Sequence, residues 1–287
     1  MSQPHRVAFA VRAWATTQRA PVDEVAADVC ARLRQAGVRA ILLKGASFAD
    51  WLYPDGTRVY VDVDLLVRED RARAAEALLR ELGYSQLWAP EDMPADLPIA
   101  SHWRRSEGGP PVDLHWALPE ARADAAVQWD ELTRRTERLG EIETLGEAGR
   151  CVTVALHAAR HADLPKPAED LARALRAADR STWAEAGELA RRIGALDGLS
   201  AGLRTQSAGA ELADAIGVPP PRSTRAVLLT QSPPPGADGI DALFTAGGAR
   251  ARARLIARTL LPTPRWMRSS TTLGRRGGAA WLVVAYS

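Results

Sequence analysis

Asp62 and Asp64 stand two positions apart in the apolar run 59–67, VYVDVDLLV. On a strand, successive side chains alternate between faces, so both carboxylates project from one face, roughly 6.5–7 Å apart along the chain. Carboxylates at that spacing can share divalent cations, and hard oxygen donors suit Mg²⁺, which is bound by one or two carboxylates together with substrate phosphates. A third aspartate, Asp113, lies in the extended run 112–116, VDLHW, and completes the cluster if that strand pairs beside the first. The chemistry of such a site is in-line attack on the α-phosphate of a nucleoside triphosphate, with metal ions stabilising the attacking and leaving oxygens. Asp113 would bind metal and help deprotonate the nucleophile. The competing reading is a pair of aspartates facing solvent on an edge strand. The β-forming residues on both sides, a Lys-Gly turn before and a second Asp-bearing strand after favour the site.

That turn is Leu43-Lys44-Gly45-Ala46-Ser47, a strand end followed by a helix start. Gly45 permits close approach of backbone to a ligand, and the first N–H groups of a helix suit a phosphate. Lys44 adds a point charge. No G-x-x-x-x-G-K-[ST] pattern is present, so this is not a P-loop. Arg58, just before the acidic strand, either reaches a phosphate or is a solvated charge. His115 shares a strand face with Asp113 and either touches the site, orients the carboxylate or packs beside Trp116. His157 and His161, four apart, share a helical face. Without H-E-x-x-H or an obvious third ligand they suit hydrogen bonding in the core or, with Asp170, lining of a cleft, better than zinc.

The elements that must position these groups follow from periodicity and punctuation. A helix is expected over 22–36, ended by Gly37, then a strand over 38–43, a short helix over 46–52 closed by Pro54-Asp55-Gly56, the strand 59–67 and a helix over 69–82. A looser segment with Pro90, Pro94 and Pro98 precedes a hairpin of strands 100–105 and 112–116 around Glu107-Gly108-Gly109-Pro110-Pro111. Residues 122–138 read as helix. Beyond about residue 145 helical periodicity dominates, over 147–161, 169–178, 183–193 and 199–216, with proline runs at 219–221 and 233–235 and a Ser/Thr/Gly/Arg-rich stretch at 269–278. The fold class is therefore α+β, an α+β domain (1–145) followed by a mainly helical domain (146–287).

Composition narrows the partners. Hydrophobic residues at 46% and charged residues at 25% are ordinary for a globular protein, so a sizeable core is available. A net charge of +2 gives no global attraction to nucleic acid or to an anionic membrane. The basic residues are arginines apart from two lysines, Lys44 and Lys166. Cys30 and Cys151 lie in apolar helical stretches and are expected as free thiols. Of nine tryptophans, those at 51, 88, 103, 116 and 129 are expected mostly in the core, with one or two available to stack on a base. Arg104 and Arg105 are expected at the surface. No signal-peptide core and no apolar run of 18 residues is seen, so a cytoplasmic protein without a membrane span is expected.

Taken together, ILLKGASFADWLYPDGTR, VDVDLLVRED, the Gly83-Tyr84 helix end, PPVDLHWAL, LHAARHADLPKPAEDLARAL and TLLPTPRWMR resemble the uncharacterised bacterial nucleotidyltransferases of the DNA polymerase β-like superfamily. The resemblance spans most of residues 38–270. It implies a nucleotidyltransferase-like mixed β-sheet with flanking helices, Asp62, Asp64 and Asp113 as metal-binding carboxylates for two Mg²⁺ ions, and a triphosphate held around Lys44, Gly45 and Ser47. One departure stands out: the superfamily has Gly followed directly by Ser or Gly, whereas Ala46 separates Gly45 from Ser47 here. Backbone N–H groups are therefore the safer phosphate donors.

The resemblance implies transfer of a nucleoside monophosphate from an NTP such as ATP to an acceptor. The helical domain would hold that acceptor, and a peptide or small metabolite of natural-product biosynthesis is preferred. Nucleotide addition to tRNA is the alternative, for which the arginine-rich segment 250–258 would contact a phosphate backbone. A third reading is a non-catalytic nucleotide-binding or scaffold protein, which the presence of all three carboxylates disfavours.

Overall fold

The computed structural model describes residues 3–87 and 99–223, with isolated positions at 226, 230, 248–250, 252, 253 and 256; side chains are described from residue 11 onward. Trp88, the three prolines between 90 and 98, most of the segment 250–258, and the stretches 233–235 and 269–278 lie outside the described residues, as do the closing part of the family-like pattern and the C-terminal apolar run.

The chain opens with α1 (Gln3–Gln35), which runs through Pro21 and ends at Gly37, where φ is +73°. Then come β1 (Ala40–Leu42), α2 (Ala46–Leu52), β2 (Val63–Val67), α3 (Glu69–Glu81), β3 (Tyr84–Gln86), β4 (Ala100–Arg105) and β5 (Val112–His115). After α4 (Ala125–Leu132), β6 (Thr136–Leu139) and β7 (Ile142–Leu145) complete the sheet. Five helices follow: α5 (Glu147–Arg160), α6 (Pro165–Ala177), α7 (Arg180–Arg192), α8 (Leu196–Leu203) and α9 (Ser207–Ala215). The seven strands form one mixed sheet in the order β3-β4-β5-β2-β1-β7-β6, with β2–β5 and β1–β7 parallel and the other pairs antiparallel. This is the α+β arrangement expected from the pattern and the nucleotidyltransferase-like mixed sheet implied by the resemblance.

Strand alternation separates two cores. Val63, Leu65 and Val67 of β2, Val112 and Leu114 of β5, and Trp103 of β4 point to one face, where they pack with Val29 and Leu33 of α1 and Leu79 of α3. The opposite face carries Ile41, Leu66 and Leu145 into a cluster with Phe48, Trp129, Leu156, Leu171, Trp183 and Leu199. That second cluster crosses residue 145 without a break, so α5–α8 share a core with the sheet. Among the named tryptophans, Trp103 and Trp129 are buried, while Trp51 and Trp116 are partly buried. Arg104 is exposed and Arg105 lies partly covered over the Tyr84 ring. Both cysteines are free; burial pushes the Cys30 thiol up to about 12. No helix among the described residues is long and apolar enough to cross a membrane.

Three expectations are corrected. The acidic strand begins at Val63, four residues later than the apolar run implied, because Leu65 pairs with Leu42 at the end of β1 and Val63 with Val112 at the start of β5. Among the described residues no strand pairs with the residues before Val63. The region 122–138 is not one helix: it holds α4 and then β6, joined to β7 by the two-residue turn Gly140-Glu141, with Gly140 at φ +59°. The stretch 199–216 is likewise two helices, α8 and α9, because the backbone leaves the helical conformation at Gln206 (φ −133°, ψ 142°); Gly209 lets α9 pack back on the Leu203 carbonyl, where an added Cβ would lie 2.1 Å from the oxygen.

Candidate active site

The aspartates emerge where the apolar alternation of β2 and β5 is broken by polar residues on a single face. β2 and β5 run parallel with Asp64 directly opposite Asp113, and the antiparallel β4 sets His102 opposite Asp113. His115 follows Asp113 by two residues, so this face of three adjacent strands carries Asp64, Asp113, His115 and His102, and Asp62 lies just before β2. One ligand atom from each of Asp64, Asp113 and His115 lies within 4.8 Å of the others. Asp62 stands outside that close group, yet its carboxyl is coupled to it: burial and the Asp64 charge raise its pKa, with Asp113 adding to the effect.

The Lys44-Gly45 turn closes the same end of the sheet. Leu43 N–H donates to the Asp64 carbonyl at 3.0 Å, which fixes the turn against β2. Gly45 has φ +63° and ψ −117°, a conformation that favours glycine. Lys44 Nζ lies 2.9 Å from Asp64 Oδ1, and His115 Nε2 lies 3.3 Å from the same oxygen. Burial would raise the Asp64 pKa, but Lys44 and His115 together hold it well below the usual carboxylate range. Burial opposes the charge on Lys44 as well; Asp64, assisted by Asp62 and Asp113, more than offsets it and raises its pKa.

His102, which the sequence reading did not single out, hydrogen-bonds Asp113 Oδ1 through Nδ1 at 2.7 Å. Burial lowers its pKa, and the Asp113 carboxylate outweighs that effect and raises it. The signal available in the sequence was its position between Ser101 and Trp103 on a hairpin strand, which puts it on the face opposite the buried Trp103. From α5, His157 and His161 come together with ring centroids 4.8 Å apart, and His157 feels the Lys44 and Asp64 charges. Burial, Lys44 and His161 push the His157 pKa down to about 2. His161 is lowered by burial, Arg160 and Lys44. Among the described residues no third ligand joins this pair in a metal-like group.

Three residues expected at the site turn inward. Arg58 is 4% exposed and donates through Nε and Nη2 to both carboxylate oxygens of Asp170 at 3.1 and 2.8 Å, and through Nη1 to the Gly45 carbonyl at 3.0 Å. It is therefore neither a solvated charge nor presented to a phosphate at the surface, because it is buried and three of its N–H groups are held by Asp170 and Gly45. Asp170 is buried and also accepts from the Tyr53 hydroxyl at 2.7 Å, so it does not line the cleft. Ser47 is buried too, with the Thr144 hydroxyl 2.5 Å from its Oγ. Because α2 starts at Ala46, Ser47 faces β7 and not the mouth of the site.

The arrangement can bind a cation between carboxylates and can move a proton through the Asp113–His102 pair. Among curated proteins none matches the chain. A family described as uncharacterised nucleotidyltransferase matches residues 9–208, which takes in every residue of this site and more than half of the chain. An acidic group on adjacent strands of a mixed sheet, inside that match, leads to one conclusion: the chain belongs to the uncharacterised nucleotidyltransferase family and is an enzyme.

Proposed function

We propose that the chain transfers a nucleoside monophosphate from an NTP to an acceptor in a Mg²⁺-dependent reaction, with a peptide or small metabolite as acceptor. The observation that carries this reading is the in-register pairing of Asp64 with Asp113 on β2 and β5. The donor set fits a hard divalent cation: two carboxylates supply oxygen, and a third, Asp62, has its charged form penalised by burial and by the negative charge beside it, a cost that a cation would relieve. Asp64 and Asp113 would hold the ion, with Asp62 alongside. When bound, Mg²⁺ neutralises charge on the phosphates and on the leaving pyrophosphate.

The chain's own residues supply the rest. The acceptor's hydroxyl or amine forms a bond to the α-phosphorus while the bond to pyrophosphate breaks. The Asp113–His102 pair lies within reach of that face and takes the proton. Lys44, held at Asp64, keeps a positive charge beside the phosphates. The helical part beyond residue 145 packs on the same face of the sheet, and we assign the acceptor to that side.

The test is transfer of label from α-labelled NTPs into small acceptors, peptides and total RNA, with and without Mg²⁺. Replacing a group that merely supports a metal ligand costs about 10–100-fold in activity. Asp64→Asn and Asp113→Asn should therefore each lose at least ~100-fold, and Asp62→Asn should also lose activity. Transfer by Asp64→Asn at the wild-type rate would remove the site assignment, and label entering RNA alone would replace the small acceptor by RNA.

A further inference from the structure

In a chain with 35 arginines and two lysines, both lysines stand at the acidic site. Lys44 is committed to Asp64, and Arg58 to Asp170 and the Gly45 carbonyl. Neither leaves a free cation for the outer phosphates of a polyanionic substrate. Lys166 is different. It lies in the first turn of α6, immediately after Pro165, and one helical turn before Asp170. Residues four apart share a helix face, and Asp170 uses that face to hold Arg58 and, through Arg58, the Gly45 turn. The buried ion pair thus ties α6 to the Gly45 turn beside the acidic strands. Among the described residues no hydrogen bond or ion pair engages Lys166, which is exposed, and its charge is felt by Asp62.

We propose that Lys166 binds the β- and γ-phosphates of the incoming triphosphate, reaching across from α6 to the acidic strands. This rests on the nucleotidyl-transfer reading above. An ammonium on a four-carbon stem offers three donors to a phosphate and can follow the leaving pyrophosphate, which a guanidinium locked in the core cannot. The surroundings are consistent with the assignment: partial desolvation and then the Arg58 charge lower the Lys166 pKa while Asp170 and Asp62 oppose them, so this ammonium feels both the buried ion pair and the acidic strand. The same contact would place a residue of the helical half directly on the nucleotide.

The experiment is calorimetric titration of the full chain, in Mg²⁺, with inorganic triphosphate, with each NTP and with the matching nucleoside monophosphates. Lys166→Ala should weaken triphosphate and NTP binding by about 10–100-fold, the loss expected for hydrogen bonds to a charged group. Monophosphate binding should change by less than about 3-fold, and Lys166→Arg should recover most of the lost affinity. The thermal midpoint of Lys166→Ala should stay near that of wild type because the side chain is exposed; Lys166→Gln provides a second neutral variant. Unchanged triphosphate binding in both neutral variants would overturn the assignment, as would an equal loss for mono- and triphosphates. If wild type itself binds neither NTP nor triphosphate, the nucleotidyl-transfer reading fails and takes this assignment with it.

Discussion

Arg58 and Asp170 have side chains 4% and 0% exposed, and between them they tie the residues before β2, the Gly45 turn and α6 together. A buried ion pair adds little net stability over a well-packed apolar pair, yet removing one partner leaves an uncompensated buried charge and costs about 3–5 kcal/mol. Arg58 also lies against the rings of Phe48, Tyr53 and Tyr60, so it has packing to lose as well as charge. Asp170→Ala should therefore destabilise the chain by about 3–5 kcal/mol in urea unfolding at unchanged m-value. The double replacement Arg58→Met with Asp170→Leu should cost less than Asp170→Ala alone. A loss below about 1 kcal/mol for Asp170→Ala would mean the pair is effectively solvated. Nothing local in the sequence distinguishes this arginine from one that binds phosphate: its partner is 112 residues away, on a helix whose docking the sequence does not display.

At the scale of elements, what was legible depended on whether the cause was local. Asp64 and Asp113 could be read because period-two alternation is a property of each strand by itself. The pairing of β2 with β5 was open until the register placed the two carboxylates opposite each other. His102 was missed because its importance comes only from lying opposite Asp113 across the hairpin. The β6–β7 hairpin was missed because Thr136–Leu139 alternates weakly and follows a helix, leaving Gly140 as the main sign of a turn. Packing of helix on helix was equally hidden. Gly198 and Gly202 let α8 lie directly on α5: a Cβ at Gly198 would stand 2.7 Å from Leu156 Cδ2, and one at Gly202 would stand 1.9 Å from the Ala155 carbonyl oxygen. In an exposed helix, Gly→Ala gains up to about 1 kcal/mol from propensity. Here the new carbon meets backbone that cannot rotate away, and overpacking of that kind costs about 1–3 kcal/mol. The clash should win, so Gly202→Ala is expected to lower stability by about 2 kcal/mol in chemical denaturation. A stabilised Gly202→Ala protein would show that α5 and α8 are not in close contact in solution.

Across the whole molecule, the site lies where the sheet meets the helical part, and charges from both sides meet at His157. This side chain on α5 feels the charges of Lys44 from the β1–α2 turn, Asp64 from β2, Arg58 from the segment before β2, and His161 one turn further along the chain. Burial is the main reason its pKa falls to about 2, with Lys44 and His161 next and Asp64 opposing them. An unfolded histidine titrates near 6.5. Above that pH both states are neutral at this position, so stability carries no penalty from it. As the pH drops below about 6.5, the unfolded chain takes up a proton that the folded chain refuses until about pH 2, so stability is lost across that window. The slope from one such proton approaches about 1.4 kcal/mol per pH unit. Other groups titrate in the same range, including His161 and the carboxylates, so the informative quantity is the difference between two proteins. His157→Gln keeps a polar side chain of similar reach and removes the titration. Between pH 6.5 and 4.5 the unfolding free energy of wild type should fall more steeply than that of His157→Gln, by up to about 1.4 kcal/mol per unit. Parallel pH profiles would mean that His157 takes its proton in the folded state. In that case α5 does not cover the acidic strands closely enough to exclude water, and the helical part stands further from the site than its shared core with the sheet implies.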